Sequence, residues 1–280
     1  MCDQMRDHDA RPSSVGSFAV LSRDTVAEGV SRLVLSRRAS DSGDSLGDPA
    51  PGQFYLLRAR PSAVLLGRPV SVYAFDDTSI SFLILERGEG SRELCSALPG
   101  SLVDLLGPIG NRFMTPRELV RRGSASDDSP LAGRDPESLR VACVGGGIGV
   151  APVAGFAFSL APRSFDFYAS FRSTPYGLEG IADRANRLVV TTEDGSAGTK
   201  GMLPAVFDAA KYDVVYACGP TPMLKYVKEA TSVVPFAFLS LEQHMACGAG
   251  ACLGCTVRTT LGNRRCCVDG PVFDAKEVLL

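Results

Sequence analysis

Three cysteines fall within nine residues, CGAGACLGC from Cys247 to Cys255, and a further pair follows at Cys266 and Cys267. Five of the nine cysteines therefore lie in the last 34 residues. Thiolates are soft metal ligands. C-x4-C-x2-C with a fourth cysteine downstream is the spacing that holds a plant-type [2Fe–2S] cluster. Gly248, Gly250 and Gly254 let such a loop wrap tightly and turn its N–H groups toward the sulfurs, which tunes the potential. Structural zinc is the main rival, but it commonly uses two C-x2-C pairs, and this segment has one. A disulfide framework is disfavoured, because an odd number of cysteines without an apolar leader points to a reducing, cytoplasmic setting. Cys266 and Cys267 are adjacent, so their side chains diverge and only one of them can complete the site; spacing alone leaves the choice open. Cys2, Cys95 and Cys143 stand apart, and Cys143, in an apolar run, is expected as a small buried hydrophobe. His244 is read as a polar loop residue.

A second group of residues suits phosphates. In VGGGIGVAP the glycines Gly145, Gly146, Gly147 and Gly149 follow an apolar strand and open a helix. There the backbone can approach a diphosphate at the helix N-terminus, although the spacing varies from G-x-G-x-x-G and would also serve a tight turn with no ligand. YACGPTPML places Cys218, Gly219 and Pro220 at another strand-to-helix turn, on the carboxyl edge where open α/β sheets bind ligands. By itself Cys218 reads as a core cysteine. TEDGSAGTKG, residues 192–201, is a polar loop after a strand, suited to a ribose or to nothing. In GRPVSVYAF, Arg68 could hold a phosphate and Ser71 a ring nitrogen. On a regular strand the two face opposite sides, so a bend at Pro69 would be needed for both to reach the same part of a ligand. ERGEGSREL offers Gly90 and Ser91 at a helix start. LGPIGNRF reads as a loop closing a barrel.

The elements that must position these residues change rhythm along the chain. Residues 1–16 read as a polar, disordered tail. From residue 17 to 113, short β-prone runs punctuated by Gly, Pro, Asp and Ser predict an antiparallel β-barrel. Residues 114–138, rich in Pro, Ser, Asp and Arg, read as a linker or insertion. From 139 to 234 strands alternate with helices, which predicts an α/β domain with a parallel sheet. Residues 235–280 form a small cysteine-bearing domain. Hydrophobic residues make up 45% of the chain and charged residues 21%, as in a globular protein. With 29 basic and 31 acidic residues the net charge is −2, which gives no electrostatic case for nucleic acid or an anionic membrane. No apolar run reaches the ~20 residues a membrane helix needs.

A barrel with R-P-x-S, G-x-G-S before a short helix, G-P-x-G-N-x-F, G-G-G-I-G-x-A-P and C-G-P-x-P-M-L, in that order, resembles the ferredoxin–NADP reductase-like flavoproteins. The resemblance implies that Arg68, Pro69, Val70 and Ser71 line the flavin of FAD. It places Leu83, Ile84 and Leu85, with Gly90 and Ser91, against the rest of that cofactor. Gly145, Gly146, Gly147, Gly149, Cys218, Gly219 and Pro220 form the nicotinamide nucleotide site. More narrowly, SLEQHMACGAGACLGCTV and CVDGPVFDAKEV resemble the electron-transfer subunits of NAD-dependent dihydroorotate dehydrogenases. In that family the cysteine two residues before Asp-Gly-Pro is the ligand, which selects Cys267 to join Cys247, Cys252 and Cys255. The resemblance implies an oxidoreductase subunit with FAD and a [2Fe–2S] cluster, NAD as substrate, and no catalytic acid or base of its own. It also implies an FMN-containing catalytic partner in a heterotetramer of two of each, serving pyrimidine (UMP) biosynthesis. A subunit of an NADH-dependent ferredoxin:NADP+ oxidoreductase or of a sulfide dehydrogenase is the alternative. Those carry an aspartate where this chain has Cys247. A zinc-binding regulatory module is a third reading, from a different class.

Overall fold

A computed structural model describes residues 14–40, 45–123, 130–131 and 133–280. Most of the stretch read as a polar tail, residues 1–13, lies outside the described residues, as do 124–129 and 132 within the linker. The chain divides into two compact units, one formed by residues up to Arg112 with Glu242–Arg258 and Gly262–Pro271, the other by Phe113–Leu241 with Thr259–Leu261 and Val272–Leu280.

The first unit is built on a closed antiparallel barrel. Its strands are β1 (Ser14–Ala27), β2 (Val30–Ala39), β3 (Phe54–Arg60), β4 (Arg68–Phe75), β5 (Ser79–Leu85) and β6 (Leu102–Ile109), ordered β1-β2-β5-β4-β3-β6 around the barrel. Alternation of inward apolar and outward residues makes this closure possible. Leu33, Leu35, Tyr55, Leu57, Val70, Ile80, Phe82, Val103 and Leu105 form the buried interior. The short helix α1 (Glu89–Cys95) follows β5, and its buried Leu94 joins that core. The cysteine segment belongs to this same unit.

The second unit opens with α2 (Pro116–Gly123), inside the stretch expected as a linker or insertion. Thr115 and Glu118 form a capping box: the Thr115 N–H donates to the Glu118 carboxylate (2.8 Å), and the Glu118 N–H donates to Thr115 Oγ1 (3.3 Å). With Pro116 at the first helical position, the local sequence specifies a helix start that bulk composition hides. The core of the unit is a sheet ordered β10-β9-β8-β7-β11-β12-β15. Its strands are β7 (Val141–Gly146), β8 (Phe165–Phe171), β9 (Arg187–Thr192), β10 (Thr199–Lys200), β11 (Val214–Cys218), β12 (Phe236–Ser240) and β15 (Val272–Asp274). All pair in parallel except β15, which runs antiparallel to β12. Helices α3 (Val150–Ala157), α4 (Ile181–Arg184) and α5 (Thr221–Ala230) connect them. Each residue of β7 and β11 is buried, as a strand covered on both faces requires. A small hairpin, β13 (Thr256–Thr259) and β14 (Gly262–Arg265), follows the cysteine loop.

Candidate functional site

The cysteine loop aims backbone N–H groups at sulfur. Cys247 Sγ accepts from the N–H groups of Cys252 and Ala249, both at 3.4 Å. Those bonds stabilise the thiolate and bring the Cys247 thiol down to about 6. The Gly254 N–H donates to Cys252 Sγ (3.5 Å), and the Cys267 N–H donates to Cys255 Sγ (3.4 Å). Cys255 Sγ lies 3.3 Å from Cys267 Sγ. Burial pushes the Cys267 thiol up to about 12, and its hydrogen bond with Cys255 adds to the rise. Thiolates bound to iron carry charge that such N–H groups stabilise, so the donor set fits a [2Fe–2S] cluster. Cys266 is fully buried, and burial raises its thiol. Its N–H is engaged by the Cys255 carbonyl (3.0 Å). The structure thus brings the Cys267 sulfur beside the Cys255 sulfur, while Cys266 meets Cys255 through its backbone. Among the described residues, no three His, Cys, Asp or Glu side chains close on one point as a single metal ion would require. His244 is an exposed loop residue, and Cys143 is buried in the strand β7.

The expected flavin residues occupy β4, the end of β5 and α1. β4 pairs with β3 in unbroken register, Phe54 with Ser71, Tyr55 with Val70, Leu56 with Pro69 and Leu57 with Arg68. Tyr55, Leu57 and Val70 are core residues, so Pro69 and Ser71 lie on the outer face together with Leu56 and Phe54. The register shows no irregularity at Pro69, and Arg68 and Ser71 thus leave β4 on opposite faces. Arg68 reaches instead toward α1. Its Nη2 donates to the Leu66 carbonyl (2.8 Å), while its buried Nε has no partner among the described residues. A Cβ on Gly90 would lie 3.1 Å from that Nε and 2.9 Å from Val64 Cγ2, so only glycine keeps this approach open. An orphaned guanidinium N–H beside a glycine is what a diphosphate group would satisfy. Ser91 has a different occupation. Its Oγ accepts from the N–H groups of Arg87 (2.8 Å) and Gly88 (3.0 Å) and donates to the Gly88 carbonyl (2.9 Å), which shapes the turn before Gly90. Leu83 and Ile84 are buried; Ile84 faces the barrel core.

In the second unit the two glycine turns pack on each other. A Cβ on Gly149 would collide with the Cys218 carbonyl, one on Gly146 with Met223 Sδ, and one on Gly145 would lie 2.8 Å from Val150 Cα. Gly219 faces Met223 Cε at 2.5 Å in the same sense. Gly147 alone among these turns toward open space, with φ +53° and, among the described residues, only the Tyr176 hydroxyl within 4 Å of such a Cβ. Cys218 is buried at the end of β11, as its apolar surroundings suggest, and Pro220 is exposed beside it. The polar loop 192–201 is folded on itself: Thr192 Oγ1 donates to the Ala197 carbonyl (2.7 Å) and accepts from its N–H (3.1 Å).

Residues 242–279 match the family model described as the iron-sulfur cluster binding domain of dihydroorotate dehydrogenase B. The chain is 39% identical over 231 residues to the dihydroorotate dehydrogenase B (NAD(+)) electron transfer subunit of Clostridium acetobutylicum, covering 82% of this chain and 86% of that relative. The chain belongs to the dihydroorotate dehydrogenase B electron transfer subunit family. The relative of the same name from Clostridium perfringens is 33% identical over 258 residues, covering 90% and 93% of the two chains. Among solved structures, an NADH-dependent reduced ferredoxin-NADP oxidoreductase superposes with a TM-score of 0.73 at 24% identity, over 94% of this chain and 89% of that one. A flavohemoglobin from Malassezia yamatoensis gives 0.58 at 23% identity, over 78% and 56%. These two show the shared ferredoxin reductase-like fold. Members of this electron transfer family are components of an oxidoreductase, and no helix among the described residues is long and apolar enough to cross a membrane.

Two features escaped the sequence. Arg265 braces the cluster loop, donating from Nη1 to the Gly250 carbonyl (3.3 Å) while its Nε and N–H reach the Asp269 carboxylate at 3.4 and 2.8 Å. Gly110 and Asn111 touch the turn that follows Cys267. The motif containing them was visible, but nothing in it names a partner so distant in the chain.

Proposed function

We propose that this chain carries electrons from an FMN-containing dihydroorotate dehydrogenase subunit to NAD+, through a [2Fe–2S] cluster held by Cys247, Cys252, Cys255 and Cys267 and an FAD held on the barrel. The observation that carries this reading is that the cluster loop and the flavin strand share one compact unit. Gly248 packs against Leu56 and Ile109, since a Cβ there would lie 2.9 and 3.0 Å from their methyl groups, and Leu56 pairs with Pro69 on the outer face of β4. FAD, when bound, supplies exchange of two electrons with the nicotinamide and of single electrons with the cluster. The chain's own residues bind and orient. Arg68, whose Nε lies beside Gly90, would hold the diphosphate of FAD, while Pro69 and Ser71 would line its ring system. Gly147 leaves room for the diphosphate of NAD. Cys247 offers a thiolate near neutral pH, ready for iron. No side chain is asked to act as an acid or base on dihydroorotate.

The partner meets the cluster edge. Leu253 (61% exposed) and Val268 (38%) follow Cys252 and Cys267 in the chain and share a surface with Asn263, Arg264, Arg265 and Asp269, a mixed apolar and polar face for a catalytic subunit to cover. The assembly is a heterotetramer of two of each subunit, working in the cytoplasm in pyrimidine biosynthesis. Co-expression with an FMN-containing dihydroorotate dehydrogenase subunit tests this. A yellow-brown complex that reduces NAD+ with dihydroorotate, where the isolated chain does not, is the expected result. A chain that purifies without flavin and iron–sulfur absorption overturns it.

A further inference from the structure

The Gly-Asn pair after β6 ties the fourth-ligand turn to the flavin barrel. The Asn111 N–H donates to the Gly270 carbonyl (2.6 Å), and its Nδ2 donates to the Asp269 carbonyl (3.0 Å). Gly110, at φ +82°, is pressed against the same turn: a Cβ there would lie 2.6 Å from both the Gly270 oxygen and Pro271 Cδ. Gln53 braces the pair from β3's edge, donating from Nε2 to the Gly110 carbonyl (2.7 Å) while its Oε1 accepts the Ala50 N–H (2.8 Å). Next to Gln53, Phe54 pairs with Ile109 on one side and with Ser71 on the other. A continuous path of strand pairing and hydrogen bonds thus runs from Ser71 through Phe54 and Ile109 to Gly110, Asn111, Asp269 and Cys267.

We propose that Gly110 and Asn111 form a latch that fixes the Cys267 turn on the barrel, so that electron passage between cluster and flavin depends on it. Both are positioning residues. The proposal rests on the functional reading above. The step it governs moves one electron, taking one iron from ferrous to ferric toward FAD, with no covalent bond made or broken; two such electrons leave with a proton as hydride on NAD+. A turn free to shift relative to β4 would lengthen or misalign that passage. A turn that is merely present would leave it unchanged.

The test uses the full chain purified with its cofactors and its Asn111→Ala variant, mixed anaerobically with NADH so that the step runs in reverse. Flavin bleaching and cluster bleaching are followed separately, and hydrogen exchange is measured at residues 266–270. In the variant, flavin bleaching keeps the wild-type rate and cluster bleaching falls by about tenfold, since rates fall steeply when reacting groups are misplaced. Exchange in the turn rises about fivefold, as expected for one lost hydrogen bond. Gly110→Ala should do the same more strongly where it folds. Unchanged exchange with unchanged cluster bleaching overturns the latch, as does outright loss of the cluster with normal flavin, which would make Asn111 an assembly residue. If the wild-type chain carries neither flavin nor cluster, the functional reading fails. The exchange comparison still decides whether Asn111 holds the turn.

Discussion

The nucleotide turns and the cluster loop both rely on glycine, but they use it for opposite ends. In the nucleotide unit, Gly145, Gly146, Gly149 and Gly219 are closed in by Val150, Met223 and Cys218, so those turns are shaped by packing before any ligand arrives. In the cluster loop, Gly248 and Gly250 are also hemmed in, by Leu56 and Val268, but they stand at φ +66° and +77° and the loop's amides are turned toward sulfur. That loop is shaped for a group it must acquire. The nucleotide turns should therefore fail through sterics alone, and the cluster loop through loss of metal as well.

Replacing Cys267 by Ser gives the largest expected effect: loss of the cluster, read as the disappearance of its visible absorption and of iron from the purified protein. Cys266→Ser should retain the cluster, because it is the Cys267 sulfur that lies 3.3 Å from the Cys255 sulfur. The reverse pattern would move the fourth ligand to Cys266. Next comes Gly149→Ala, whose Cβ meets backbone rather than a movable side chain. Thermal unfolding should show a loss of about 3 kcal/mol in the nucleotide unit, typical of overpacking. Gly147→Ala, in open space, should lose only about 1 kcal/mol from its positive φ, yet weaken NADH binding by about tenfold. Equal stability losses at the two positions would erase the contrast drawn between them.

A smaller effect concerns Asp213, which ties the starts of β7 and β11 together. Burial alone would raise its carboxyl, but hydrogen bonds from Arg140 and Arg134 outweigh that and hold it well below the usual carboxylate range. Arg140 Nε and Arg134 Nη1 lie 3.1 and 2.9 Å from the carboxylate. A folded pKa below the unfolded value of about 3.9 means the stabilisation is fully present above that pH and is lost as pH falls toward the folded value. Asp213→Asn should therefore cost about 1–2 kcal/mol at pH 7, with partly exposed arginines keeping it small. The gap from wild type should narrow below about pH 4. A gap that stays constant with pH would show that the charge is not what matters.

The barrel and the parallel sheet were legible because strand alternation and strand–helix rhythm are local signals. So was the cluster loop, because ligand spacing is written in the chain. The capping box at Thr115 and Glu118 was also local, but the proline and serine content around it masked the helix. The opposite faces of Arg68 and Ser71 follow from ordinary strand parity; a bend at Pro69 would have been needed to override it, and the β3–β4 register runs straight through. Ser91 was legible as a residue but not as a cap, since its partners are backbone N–H groups. The bond from Asn111 to Asp269 spans 158 residues, and no spacing rule reaches that far.

The central claim is that one chain passes electrons between a nicotinamide, a flavin and an iron–sulfur cluster. Anaerobic titration of the purified chain with NADH, followed in the visible spectrum, tests it most directly. The account predicts flavin and [2Fe–2S] absorption at the outset and bleaching of both by NADH alone. Flavin that bleaches beside a cluster that stays oxidised at every NADH level, or a chain lacking either absorption, would contradict it.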